Sequence, residues 1–356
     1  MKRCVILILV VMLGFGMVAL ASAAKKKGKD AGQVIIAEWG GSLGEALKKA
    51  YYEPFEKETG IKVIQAEGPD PAKTKAMVDS GNVEWDIVEH SMMEILNIGM
   101  KGYLEAIDYT KFDKETLKNI PEQYKHKFGI GGFVWSNVLA YSTEAFPGEN
   151  HPHGWADFWN VDKFPGPRSL ESGSSGDPPP FEYALFADGV AADKIYPIDI
   201  DRAFKSLKKI EPHIGKWWTS GAQPGQMLVD GEVVATNAFS GRIIKLKMEG
   251  APVDIDYYQG LASVDFWVVP RGAPNKENAM KLLAFMSKAD RQAEFAKLIP
   301  YGPVNQKAYD YIDKAYGKLL PSHPDNVKLQ IFLNHEYWSQ NREKGAELWT
   351  KWAIEK

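Results

Sequence analysis

Cysteine is almost missing from this chain. Its 356 residues include one, Cys4, which precedes an apolar run at residues 5–20. No disulfide framework, thiol nucleophile or cysteine metal site is therefore available to the rest of the chain. Long hydrophobic runs are absent beyond that first one, so no later segment reads as a membrane span. Excess basic charge is also lacking: 43 Lys and Arg face 46 Asp and Glu, a formal net charge of −3. A nucleic-acid partner, which calls for a basic face, is not expected. No Gly-x-Ser-x-Gly elbow, phosphate loop or dinucleotide glycine pattern stands at a strand-helix junction. Carboxylate pairs for glycoside hydrolysis exist among so many acids, yet nothing singles one out, so a hydrolase is disfavoured. With no repeats or coiled-coil heptads, a self-associating structural role is excluded and a monomer is expected. His151-Pro152-His153 lacks the third and fourth ligands a metal would need, and no cofactor is expected.

What is present begins at the N-terminus. Lys2 and Arg3 form a basic head, the apolar run follows, and Ala21-Ser22-Ala23 supplies the small-x-small pattern of a cleavable export signal. Residues 1–23 are read as that signal and 24–32, rich in Lys and Gly, as a disordered leader. The expected compartment is the periplasm, without membrane anchoring. Cys4 lies ahead of the cut and cannot carry a lipid at the mature N-terminus.

Strand-like and helix-like segments then alternate, the pattern of an α/β protein long enough for two domains. Residues 34–37 read as a buried strand ending at Glu38-Trp39-Gly40-Gly41. Leu43, Leu47, Tyr51 and Phe55 recur at helical spacing, Gly60 closes that helix, and residues 61–64 form a second strand. Such a βαβ unit leaves a ligand crevice at its strand ends, where Trp39 offers an aromatic platform. Further strands are expected at 86–91, 129–141, 229–238 and 264–269. Helices are expected near 72–80, from 181, and at 200–210, 277–286 and 290–298. Residues 165–180 read as a loop.

Blocks through nearly the whole chain carry a family resemblance. They include Phe55-Glu-Lys-Glu-Thr-Gly-Ile-Lys-Val63, Trp85-Asp-Ile-Val-Glu-His-Ser91, Gly154-Trp-Ala-Asp-Phe-Trp159, Met227-Leu-Val-Asp-Gly-Glu-Val233 and Tyr301-Gly-Pro-Val-Asn305. In this order they resemble the periplasmic solute-binding proteins of ABC importers, in the group that includes spermidine/putrescine-binding proteins. The resemblance implies a two-lobed α/β periplasmic-binding-protein fold with the ligand cleft between lobes joined by crossing strands. Expected bounds are 33–137 for the first part of lobe 1, 138–262 for lobe 2 and 263–303 for the return to lobe 1. Residues 304–356 would be helices bordering the cleft. The implied partners are a small solute and the membrane permease, which meets the form closed on its solute.

Transferred residue by residue, the resemblance places Trp39 and Phe239 as aromatic walls, Ser91 and Ser339 as polar cleft groups and Asp265 as the carboxylate gripping an amine. Cations favour aromatic faces, and a desolvated ammonium needs a carboxylate partner. Two positions depart from the pattern. Ser263 stands where a second aromatic is expected, and Gly176-Asp177-Pro178-Pro179-Pro180 replaces an acidic pair. Asp177 supplies one carboxylate there, and the other has no evident counterpart. Arg242 begins a helix whose amide end favours anions, and its fork would hold a carboxylate. A structural ion pair is the competing role for it. The expected solute is amine-bearing and polyamine-like, with an amino acid-like or organic-anion solute held by Arg242 as the alternative. The pair Tyr257-Tyr258 suggests a ferric-ion binder less well, because neighbours in a strand point to opposite faces. Thr219-Ser220-Gly221-Ala222 resembles a loop that donates amides across the cleft.

Overall fold

A computed structural model describes residues 32–174 and 177–354. The expected export signal and nearly all of the leader lie outside the described residues. One mixed sheet runs through the molecule, built from β1 (Gln33–Glu38), β2 (Lys62–Glu67), β3 (Ile87–Ser91), β4 (Lys125–His126), β5 (Gly129–Ser142), β6 (Arg168–Glu171), β7 (Ile214–Trp218), β8 (Ala235–Phe239), β9 (Val253–Val268), β10 (Gly302–Pro303) and β11 (Ile331–Phe332). The order is β2-β1-β3-β9-β5-β8-β6-β7, with β4 and β10 on β5 and β11 on β9. The outer triplets are parallel within themselves: β1 with β2 and β3, and β6 with β7 and β8.

Between them lie the two long strands β5 and β9, antiparallel to each other over almost their full length. Residues 130–134 of β5 and 264–268 of β9 pack into a core with β1, β3 and the helix covering them. Leu139, Tyr141 and Leu261 pack into a second core. The register of the long pair slips between Asn137 and Leu139, so the bulge falls where the chain leaves one core for the other. A bulge at such a point bends the strand and re-aims its side chains.

The elements follow the sequence pattern in most places. The helical spacing from Leu43 to Phe55 yields one continuous helix from Gly41 to Thr59, with a wider π-turn at Lys48–Tyr52. It stops at Gly60, whose φ of 74° is left-handed and costs glycine nothing. Two segments differ. Residues 165–180 contain a strand, β6, because Arg168 is buried with its guanidinium donating to the carbonyls of Phe158, Phe164 and Gly166. That satisfied burial fixes the chain three residues before Glu171. The expected strand at 229–238 is only Ala235–Phe239, since Val229 ends the helix Gln223–Val229 and a turn follows.

The long C-terminal helix, His335–Ile354, packs into the second core through Trp338 and Trp349. Trp338 donates its Nε1 proton to Glu182 at 2.7 Å, and Tyr196 donates to the same oxygen at 2.6 Å. The cost of burying Glu182 is offset by these two donors, which tie the helix to Phe181–Ala187. Tyr257 and Tyr258 point apart as alternation requires: Tyr257 is buried and donates to the Leu319 carbonyl, whereas Tyr258 is exposed and stacks on His153. His153 in turn bonds Asp256 at 2.9 Å.

Candidate functional site

The parallel strands of both triplets end at the centre of the molecule. β1 and β3 deliver Trp39 and Ser91, and β6, β7 and β8 deliver Glu171, Trp218 and Phe239. A cleft of about 420 Å³, partly open to solvent, lies against the long strands between them. Its wall is one face of those strands, because side chains alternate with period two. Trp135 and Asn137 come from β5, Leu261 and Ser263 from β9. Trp135 is opposite Ser263 and Asn137 is opposite both Leu261 and Phe239 in register.

Two aromatic faces and one acid group line the cleft, and another acid group is hydrogen-bonded to the Trp135 of its wall. Phe239 stands edge-on to Trp135, ring centres 5.5 Å apart, with Trp218 behind it at 6.1 Å. Gly221 is required beside it, since a Cβ there would come within 2.8 Å of the Phe239 ring. The first acid group is Asp265, which faces Ser91 on β3 and Phe133 on β5. It accepts the Trp135 indole proton at 3.1 Å. Burial pushes its carboxyl up to about 6, against the Trp135 donor and the neighbouring Glu89 carboxyl, with Glu94 and Asp177 adding repulsion. The second group is Glu171 with Asp177, both lining the cleft beside Pro178–Pro180. Burial raises Asp177 too, while Glu171 and Arg342 favour its charged form. Glu171 accepts from Asn137 at 3.0 Å and its amide donates to Asn237. It is the second carboxylate for which the sequence showed no counterpart.

Ser263 lies in the wall with its hydroxyl 3.0 Å from His335 Nε2. Burial drives His335 down to about 4, so this histidine is neutral and ties the C-terminal helix to β9. Arg242 is exposed at the start of the helix Ser240–Met248, beside Gly221. It makes no ion pair among the described residues. Tyr301, stacked on Phe133 at 4.8 Å, feels both Asp265 and Arg242. Opposite charges thus act on one phenol.

Several expected residues sit elsewhere. Ser339 does not reach the cleft: its hydroxyl donates to the Glu336 carbonyl one turn back, the easiest partner for a helical serine. Ser91 is committed to capping the short helix after β3, with its hydroxyl bonded to Glu94 and its oxygen accepting from Met93. Trp39 is 66 % exposed at the end of β1 and stands apart from Phe239. The amides of Thr219 and Ser220 are taken by Gln223 at 2.8 and 3.2 Å and are not free to cross the cleft. Asn137, Glu171, Glu89, Tyr301 and His335 were missed. Alternation along residues 133–137 and 261–265 was the signal that could have found the wall.

A two-lobed α/β chain with a cleft at converging strand ends defines a hinged binding protein. A family profile described as bacterial extracellular solute-binding protein matches residues 50–321. The chain belongs to this family and is the substrate-binding component of an ABC transporter. It is 35 % identical over 345 residues to the gamma-aminobutyric acid-binding protein of Pseudomonas aeruginosa, covering 95 % of each chain. It is 25 % identical over 294 residues to the spermidine/putrescine-binding periplasmic protein of Escherichia coli, covering 79 % of this chain and 81 % of that one. Among solved structures, an ABC transporter substrate-binding protein from Bradyrhizobium japonicum superposes with a TM-score of 0.82 at 37 % identity. That match covers 90 % of this chain and 99 % of the other. Among the described residues no helix is long and apolar enough to cross a membrane, and no group of three or more His, Cys, Asp or Glu is arranged to hold a metal.

Proposed function

We propose that the solute is a small zwitterion with an ammonium and a carboxylate separated by a short alkyl chain, an ω-amino acid of the 4-aminobutyrate kind. The observation that carries this is that the carboxyl Asp265 and the guanidinium Arg242 both act on the Tyr301 phenol, so that opposite charges lie within electrostatic reach of one group. A diamine would satisfy the acids and repel Arg242, and a simple organic anion would do the reverse. A zwitterion satisfies both, with its methylenes against Trp135 and Phe239. The gamma-aminobutyric acid-binding relative, with 95 % coverage, supports the same choice over the polyamine reading.

In this reading the mature chain is a periplasmic monomer, freed of its export signal and without enzymatic turnover. It closes its lobes, residues 33–137 with 263–303 and residues 138–262, on the solute and presents it to the membrane permease. The C-terminal residues 304–356 border the cleft. Thermal-shift titration of the purified protein tests it with 4-aminobutyrate, putrescine and succinate side by side. A ligand at ~100 times its dissociation constant adds about 2.7 kcal/mol. The expected order places 4-aminobutyrate first. Stabilisation by putrescine alone would return the polyamine reading.

A further inference from the structure

Glu89 is 1 % exposed and lies on β3, on the same face as Ser91. Ser91 is opposite Asp265 and Glu89 opposite Trp267, which makes Glu89 and Asp265 diagonal neighbours within reach of one another. On the other side β1 and β3 pair in register at Ala37 and Val88, so the next position brings Glu38 alongside Glu89. Neither Glu89 oxygen has a hydrogen-bond partner among the described residues, and neither does the buried Tyr52 hydroxyl, which feels both Glu38 and Glu89. Glu38 is better served, accepting from the Gly40 amide and from Gln65. No cation among the described residues forms an ion pair with Glu89. A carboxylate so placed is too costly to keep its charge.

We propose that Glu89 is a positioning residue of the amine subsite: it keeps its proton, offers it to Asp265, and so leaves this end of the cleft with one negative charge for one ammonium. This rests on the zwitterion reading. The groups facing Glu89 are Asp265, Glu38 and the Trp39 amide, and like charge from the two acids joins burial in holding its carboxyl well above the usual range. Asp265 is the member that ionises, because the Trp135 indole donates to it and a protonated Glu89 beside it favours its charged form. A proton donor fixed on one side of Asp265 leaves its other side for the solute. It also keeps the empty site from holding two adjacent charges, which could not both ionise at this depth.

The test is calorimetric titration with 4-aminobutyrate between pH 5 and 8 on the wild type, Glu89→Gln and Glu89→Leu, with melting temperatures of each without solute. Glutamine keeps the shape and a donor. It is expected to bind like wild type, lose affinity over the same acid range, and leave the melting temperature unchanged at pH 7.5. Leucine removes the donor, so binding should weaken by about tenfold or more, the size of a lost charge-assisted hydrogen bond. Its acid loss should begin at higher pH. A tenfold loss in Glu89→Gln, or a marked rise in its melting temperature, would show that Glu89 works as an anion and overturn the proposal. So would Glu89→Leu binding with the wild-type affinity and pH profile. Should Glu89→Leu fail to fold, the glutamine results decide. If no amine binds even to the wild type, the functional reading fails, and the solute-free melting comparison still decides the protonation of Glu89.

Discussion

Replacing Asp265 with Asn should weaken solute binding and strengthen the empty protein. The side chain keeps its size and can still receive the Trp135 indole proton, so the change isolates the charge. Its folded pKa stands at about 6 against an ordinary 3.8. For an acid raised in this direction, stability is greatest below 3.8 and is lost as pH rises through 6. At pH 7 that gap corresponds to a ceiling of ~3 kcal/mol. The cleft is partly open and Glu89 donates to Asp265, so a gain of about 1–2 kcal/mol is expected, roughly 2–6 °C in melting temperature. The difference should vanish near pH 3.5, where the wild-type carboxyl is itself neutral. Binding moves the other way, because a stranded ammonium in a closed cleft costs about 3–5 kcal/mol, or two to three decades in dissociation constant. Scanning calorimetry with and without 4-aminobutyrate reads both effects on one sample. An Asp265→Asn protein that melts below wild type at pH 7 would refute the argument, for the charge would then be holding the fold together. Unchanged affinity would equally show that the amine lies elsewhere.

Arg242→Ala should leave the melting temperature within about 0.5 kcal/mol of wild type, as befits an exposed side chain with no ion pair, while reducing affinity for the zwitterion about tenfold or more; a fall in stability would mark it as structural. Phe239→Ala should lower affinity by about 1–3 kcal/mol in calorimetry, and Trp39→Ala should match it only if closure brings that exposed ring onto the solute. His335, held neutral with its pKa down to about 4, contributes stability that is full above pH 6.5 and lost as pH falls toward 4. A pH series of melting temperatures should therefore show a shallower acid limb for His335→Gln than for wild type.

The fold was legible because its main signals are local. A spacing of four from Leu43 to Phe55, a terminating Gly60 and apolar runs at 34–37 and 86–91 each dictate one element with no knowledge of the rest. Where reading failed, a long-range contact had overruled local pattern. Residues 165–180 look like loop from their prolines and glycines, and β6 exists there because it pairs with β7 and β8, about 45 to 70 residues further along the chain. Asp265 and Phe239 could be named from blocks of similar sequence. Ser339 could not be placed that way, because a helical serine turns back to the carbonyl one turn before it.

The acid groups of the cleft show most sharply what a linear reading lacks. Glu171 and Asp177 are separated by a glycine- and serine-rich stretch of sequence, and Glu89 and Asp265 are far apart in the chain, yet the members of each pair act on one another's protonation. A sequence counts such residues as independent charges and suggests an acidic cleft suited to a polyamine. Burial favours the protonated form of Asp177, Asp265 and Glu89, and like charge from Asp265 adds to it at Glu89. One charge shared by Glu89 and Asp265, set against an Arg242 that forms no ion pair among the described residues, suits a solute that carries one charge of each sign. Solute choice in this cleft therefore follows from which carboxyls keep their protons, a property that arises only when β3, β9 and β6 are brought together.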